Sequence, residues 1–247
     1  MYYYVYDEFV QGPKFEKELA QIETRLTDLG ISGKAARLAL FRDATEFIRD
    51  ELKHGVKTVV AVGNDVTLRK CIDAVGDADI AVGIIPMGKE LNTIAKLLGV
   101  PTGLPACDVL SARILEKVDL GVINGLRFMH SVKADFVRPF KIDCGDYHIG
   151  TVYNGSFELR NLVFPDKELP PSDPTDGMLE LVLELQKRSF LFKQATGHTF
   201  LPLSKARFHF SQEETFSIDG EEYKASEIEM RIIPGALKFV TSKDRMF

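Results

Sequence analysis

The stretch that most constrains this chain is Thr58–Thr67, which reads TVVAVGNDVT. Thr58 to Val62 is a continuous apolar, β-branched run of strand length. A strand covered by helices on both faces has this composition, because neither face needs polar side chains. Gly63 ends the run, and Asn64, Asp65, Val66 and Thr67 follow. Beyond them Leu68, Cys71, Ile72 and Val75 fall at helical spacing. A buried strand therefore delivers a glycine–polar–acid turn to a helix N-terminus. Open α/β sheets bind ligands outside the carboxyl ends of their strands. A helix N-terminus also offers N–H groups and positive potential to phosphate. Two readings of Asp65 stand at this point: a helix cap, or an acid serving a phosphate site.

The same unit recurs through the first half. Tyr2–Tyr6 is aromatic and β-rich and reads as the first strand. Phe15, Leu19, Ile22, Leu26 and Leu29 give an amphipathic helix that Gly30 stops. Arg37–Phe41 reads as the second strand. Asp43 and Glu46 form an approximate capping box for a helix carrying Ala44, Phe47, Ile48 and Leu52. Ile80–Ile85 is another buried strand. Cys107, Leu110, Ser111 and Ile114 mark a helix, and Val118–Ile123 a further strand. Strands alternating with helices predict a Rossmann-like, doubly wound, mostly parallel sheet over residues 1–125.

The pattern changes at Asn124-Gly125, after which alternation of period two dominates. Phe140–Cys144 and His148–Tyr153 flank a hairpin-like break. Met178–Leu185 follows a proline-rich turn at 170–177. Asp219-Gly220 is a strong hairpin signal, and Ile228, Met230 and Ile232 alternate with charged residues before a turn at Pro234-Gly235. Residues 126–247 are expected to form an antiparallel β-sandwich, with the C-terminal end free to return to the first domain.

Two turns carry a resemblance. The first is Gly63-Asn64-Asp65-Val66-Thr67. The second follows Ile80–Ile85 and keeps Pro86, Gly88, Asn92, Ala95, Leu98, Gly99 and Pro101. The pair resembles the catalytic domain of diacylglycerol kinases and their sphingosine-kinase and bacterial lipid-kinase relatives. Those families carry Gly-Gly-Asp-Gly-Thr after one strand and Pro-Leu-Gly-Thr-Gly-Asn-Asp after the next. Here two motif glycines are Asn64 and Val66, and Lys89-Glu90-Leu91 replaces a Thr-Gly pair with one residue added. The Asn-Pro and Ser-Gly elements after the family's first strand are also missing, with Asp7-Glu8-Phe9 in their place. Further on, Asp176-Gly177-Met178-Leu179 resembles the family's Asp-Gly-Leu-Leu strand, and Asp219-Gly220-Glu221 its Asp-Gly-Glu motif.

The resemblance implies a fold of an α/β domain joined to a β-rich domain, and ATP-dependent phosphoryl transfer with Mg2+. It implies catalytic roles for Asp65, Asp119 and Glu221, with Asp65 at the metal. It implies nucleotide contacts from Gly63, Asn64, Asp65, Thr67, Gly88 and Asn92. The partners implied are a nucleotide and a lipid or other small hydroxyl acceptor, with at most transient membrane contact; a homodimer stays open. Taken singly, Asp219-Gly220-Glu221 reads as a plain turn with an exposed acid, and Asp119 as an edge or cap residue. A second reading is a catalytically silent descendant that binds nucleotide or lipid, which the altered glycines favour. A third is an NAD kinase, whose family shares the fold and the Gly-Gly-Asp motif.

Composition excludes other classes. The net charge is −5 with no long run of one sign, which argues against a nucleic-acid footprint. Cys71, Cys107 and Cys144 are isolated and form neither a disulfide framework nor a zinc pattern. The five histidines show no metal spacing or triad. Asp7 and Glu8 are unlike a signal peptide, and no apolar run approaches the ~20 residues of a membrane helix. A cytoplasmic setting is expected.

Overall fold

The computed structural model describes residues 1–38, 44–188 and 193–247. The chain divides into two compact units, Met1–Lys117 with Leu237–Met246, and Val118–Ala236 with Phe247.

The first unit is built on parallel strands. They are β1 (Tyr2–Tyr6), β2 (Lys34–Arg37), β3 (Thr58–Gly63) and β4 (Ala81–Pro86), in the order β4-β3-β1-β2. All six residues of β3 and all six of β4 are buried, as their unbroken apolar runs require. Helices α1 (Glu16–Asp28), α2 (Ala44–Lys53), α3 (Asp65–Val75), α4 (Thr93–Leu97) and α5 (Ala106–Ala112) follow the strands. Helix α2 packs with α3, and α1 with α5. The strand order reverses between β1 and β3, where β1 pairs with β2 on one side and β3 on the other. Such a reversal opens a crevice at the strands' carboxyl ends.

Several sequence expectations shift. The second strand is Lys34–Arg37, three residues earlier than read, and the rest of Arg37–Phe41 lies mostly outside the described residues. The Asp43 half of the capping box lies outside them too. Ile114 opens β5 (Ile114–Ile123) and does not belong to α5, because Arg113 takes a left-handed conformation, φ 51°, that ends the helix. Among the described residues, no helix is long and apolar enough to cross a membrane.

The second unit is antiparallel. After β5 come β6 (Leu126–Phe128), β7 (Ser131–Val137), β8 (Phe140–Asp143), β9 (His148–Gly150), β10 (Gly155–Arg160), β11 (Leu179–Arg188), β12 (Lys193–Leu203) and β13 (Lys205–Ile218). The strand β14 (Glu221–Thr241) completes the set, and the order β12-β11-β10-β7-β13-β14 follows from the pairings. Its core holds Phe140, Phe157, Phe208 and Phe216, with Phe157 edge-on to Phe208 at 5.3 Å. Asp219 and Gly220 form the hairpin turn between β13 and β14, both at positive φ (48° and 93°). Pro234-Gly235 does not break the chain: β14 runs through it to Thr241. Gly235 accommodates the irregularity at φ 57°. The far end of β14 pairs in parallel with β4, Lys238 opposite Ala81 and Phe239 opposite Val82, within the first unit.

Candidate functional site

The two glycine turns lie together at the carboxyl ends of β3 and β4. The Met87 amide donates to the Gly63 carbonyl at 2.6 Å, and the Asp65 amide to the Leu91 carbonyl at 2.8 Å. Gly63, Asn64, Asp65, Thr67, Gly88 and Asn92 are thus brought into one edge of the first unit. Gly63 is required there, because a Cβ at this position would sit 2.2 Å from Thr67 Oγ1.

Asn64, not Asp65, caps α3. Its Oδ1 accepts from the Val66 amide at 3.0 Å and the Thr67 amide at 3.3 Å. Thr67 answers by accepting from the Asn64 amide at 3.1 Å, completing a capping box. Neither Asn64 nor Val66 is left-handed: Asn64 is extended at φ −130°, and Val66 lies within the helix. Val66 is therefore unstrained, and its side chain projects into solvent, 48% exposed. The left-handed residue is Leu91, at φ 56° and 60% exposed. It immediately precedes Asn92, in the place of a motif glycine.

Asp65 reaches across to the second turn. Its Oδ2 accepts from the Thr93 amide at 2.6 Å and the Ile94 amide at 3.1 Å, so it caps α4. Asn92 is 4% exposed, and its Nδ2 donates to the Gly88 carbonyl at 3.1 Å.

A residue missed in the sequence completes this edge. Asp7 follows β1 and stands at the strand-order reversal, its amide donating to the Val62 carbonyl at 3.0 Å. Its Oδ2 accepts from Thr67 Oγ1 at 2.8 Å, and Lys70 Nζ lies 3.8 Å away. Asp7 also caps a single 3-10 turn, Glu8–Gln11. Phe9 of that turn meets Phe15 edge-on at 5.8 Å, and both rings flank Gly88. The signal for Asp7 was its place directly after the first strand.

Asp119 and Glu221 belong to the second unit. Asp119 is 1% exposed, its Oδ1 accepting from the Gly235 amide at 2.6 Å and its Oδ2 from the Gly177 amide at 2.7 Å. Burial raises its carboxyl above the ordinary range, against the pull of those two amides. Both oxygens are thus committed to backbone. Glu221 opens β14 opposite Ile218 and is exposed. Its neighbour Asp219 does more structural work: its carboxylate accepts from the amides of Met129, His130 and Ser131 at 2.8, 2.9 and 3.0 Å.

Whether the first turn suits a triphosphate and its magnesium is decided by these bonds. A phosphate there would need backbone N–H groups. Those of Val66 and Thr67 are taken by Asn64, those of Thr93 and Ile94 by Asp65, while Asp7 and Glu90 add negative charge to the same edge. In this arrangement a phosphate would find those four amides already occupied.

A parallel α/β unit with paired glycine turns at its carboxyl edge is followed in the chain by an antiparallel β unit. Residues 3–123 match the model of the diacylglycerol kinase catalytic domain. A Pseudomonas aeruginosa protein named "probable lipid kinase YegS-like" is 31% identical over 96 residues, 38% of this chain and 32% of that protein. A diacylglycerol kinase of Staphylococcus saprophyticus is 28% identical over 119 residues, 47% of this chain and 39% of its own. The aligned stretch therefore spans well under half the length of these relatives. The crystal structure of a diacylglycerol kinase from Bacillus anthracis superposes with a TM-score of 0.81 at 15% identity, covering 99% of this chain and 97% of that one. That likeness is one of fold.

Proposed function

We propose that this chain is a diacylglycerol-kinase relative that binds a lipid or nucleotide as a ligand and does not transfer phosphate. The observation that carries the reading is the Asn64 side chain, whose Oδ1 takes the two amides at the head of α3. A glycine at that position has no side chain and leaves them for a ligand. The purified protein, offered Mg2+ and labelled ATP with separate pools of diacylglycerol, sphingosine and NAD, should yield no labelled product. Asn64→Gly should raise nucleotide affinity, read as a ligand-dependent rise in Tm. Labelled lipid from the wild type would overturn the reading, and labelled NADP would point to the NAD-kinase branch.

One observation favours phosphoryl transfer as a second reading. Asp65, Thr67 and Asn92 all persist on two turns bonded to each other through Asp65 and Leu91. A rotation of Asn64 about χ1 would return the Val66 and Thr67 amides to a ligand. Nucleotide-dependent protection of those two amides from hydrogen exchange in the wild type would support this second reading.

A further inference from the structure

The second unit keeps several polar side chains out of water in one place. Arg160 on β10, Asn161 just after it and Glu180 on β11 are 2%, 0% and 4% exposed. Arg160 and Glu180 are direct cross-strand partners. Leu179 and Leu181, on either side of Glu180, point into the phenylalanine core, so Glu180 points away from it. The segment 161–178 covers it on that side, with Arg160 Nη1 donating to the Pro170 carbonyl at 3.4 Å.

Ser172 of this segment sets a hydrogen count. Its Oγ lies 2.6 Å from the Asn161 carbonyl and is also in hydrogen-bond contact with Glu180 Oε2. A carbonyl can only accept, and a serine hydroxyl has one proton. If Ser172 donates to Asn161, its contact with Glu180 is a bond only when Glu180 carries a proton and donates it. If Glu180 is a carboxylate, the single Ser172 proton serves either it or the Asn161 carbonyl, and the other buried contact is not a hydrogen bond, which is costly. The Asn161 Oδ1 is already a buried acceptor with no partner among the described residues.

We propose that Glu180 is a proton-operated latch: protonated, it donates to Ser172 and holds the 161–178 segment down, and ionised, it releases that segment. Burial pushes the Glu180 carboxyl up to about 7, with the Asp176 carboxylate adding to the rise and Ser172, its own backbone amide and the Arg160 guanidinium opposing it. Those are the groups facing it: Ser172 and Asp176 from the covering segment, and Arg160 from β10. Pro202, its partner on β12, brings no charge. The latch also governs what lies further along the segment. Asp119 donates its amide to the Pro174 carbonyl at 2.7 Å and accepts the Gly177 amide at 2.7 Å. Release at Ser172 loosens the stretch that Asp119 holds.

The sign follows from the raised carboxyl. With the segment open, Glu180 returns to the ordinary value of 4.5, so closure is fully favoured below that value and is lost as pH rises toward about 7. Hydrogen exchange of the Thr175, Asp176 and Gly177 amides, corrected for intrinsic chemistry, reads it directly. Between about pH 5 and about pH 8 the wild type should lose on the order of 10²-fold in protection. Glu180→Gln, whose amide can donate to Ser172 at any pH, should hold its protection level across that range. Equal pH dependence in both proteins, or a wild type that stays flat, would overturn the latch in favour of an ionised Glu180 paired with Arg160. Should the glutamine variant fail to fold, carboxyl 13C titration of the wild type decides: a Glu180 midpoint near 7 supports the latch, and one near the ordinary glutamate value refutes it.

Discussion

Asp65 stands at the head of α3, yet its carboxylate caps α4, accepting the Thr93 amide at 2.6 Å. The two glycine turns are therefore fastened by side chain as well as by backbone. Removing the cap should cost stability whatever the protein's activity. Asp65→Ala should lower the unfolding free energy by about 1–2 kcal/mol, the range for a lost helix cap. Asp65→Asn keeps an acceptor and loses the charge facing the helix dipole, so about 0.5 kcal/mol is expected. Urea midpoints measure both. If neither variant moves, Asp65 does not cap α4 in solution, and its role as a metal acid regains ground.

Leu91 holds a left-handed backbone that a side chain with a Cβ disfavours by about 1–2 kcal/mol. Being 60% exposed, it gains little from burial in return. Leu91→Gly should therefore stabilise the protein, by about 0.5–1 kcal/mol once the extra entropy of an unfolded glycine is set against the relief. A lower denaturation midpoint would mean that the exposed leucine makes a contact in solution worth more than its strain.

How legible was this in the sequence? The strand-plus-turn units were readable because β3 and β4 are buried on both faces, and that burial writes an unbroken apolar run. The β13–β14 hairpin was readable because Asp219-Gly220 takes two positive φ values that few residue pairs accept. The bonding within the edge was not readable. That Asn64 caps α3 while Asp65 caps α4 depends on where β4 places its own turn, a relation between residues 28 apart. Asp7 was passed over because a lone acid after a strand has no periodicity to mark it. Asp119 was found through a motif match, but its two bonds come from glycines 58 and 116 positions away.

Those two bonds give Asp119 a stability role. Asp119→Ala leaves the half-buried Gly177 and Gly235 amides without their acceptor, and each such loss costs up to about 1–3 kcal/mol where water does not replace it. A drop of about 3 kcal/mol in unfolding free energy is expected, with Asp119→Asn intermediate because its carbonyl can still serve one amide. Denaturant unfolding followed by fluorescence or circular dichroism checks both. An alanine variant as stable as the wild type would show that the carboxylate is not holding Gly177 and Gly235, and would return Asp119 to the list of candidate acids.

The cysteines report on the helix that carries the first turn. Cys71 lies on the buried face of α3, and burial pushes its thiol up to about 12, with the Asp7 carboxylate adding to the rise. Burial pushes Cys107 of α5 up to about 11. Only the thiolate reacts with alkylating agents, so both are inert while the first unit is folded. Cys144, directly after β8, is half-buried, the least covered of the three. At about pH 8 the native protein should therefore take up one maleimide, at Cys144, and three after denaturation. Mass spectrometry of the digested adducts distinguishes the sites. Native labelling of Cys71 at a rate near that of Cys144 would mean that α3 detaches readily from β3. The Asn64 cap would then be too transient to close the edge, and the reading of a self-capped turn would fall with it.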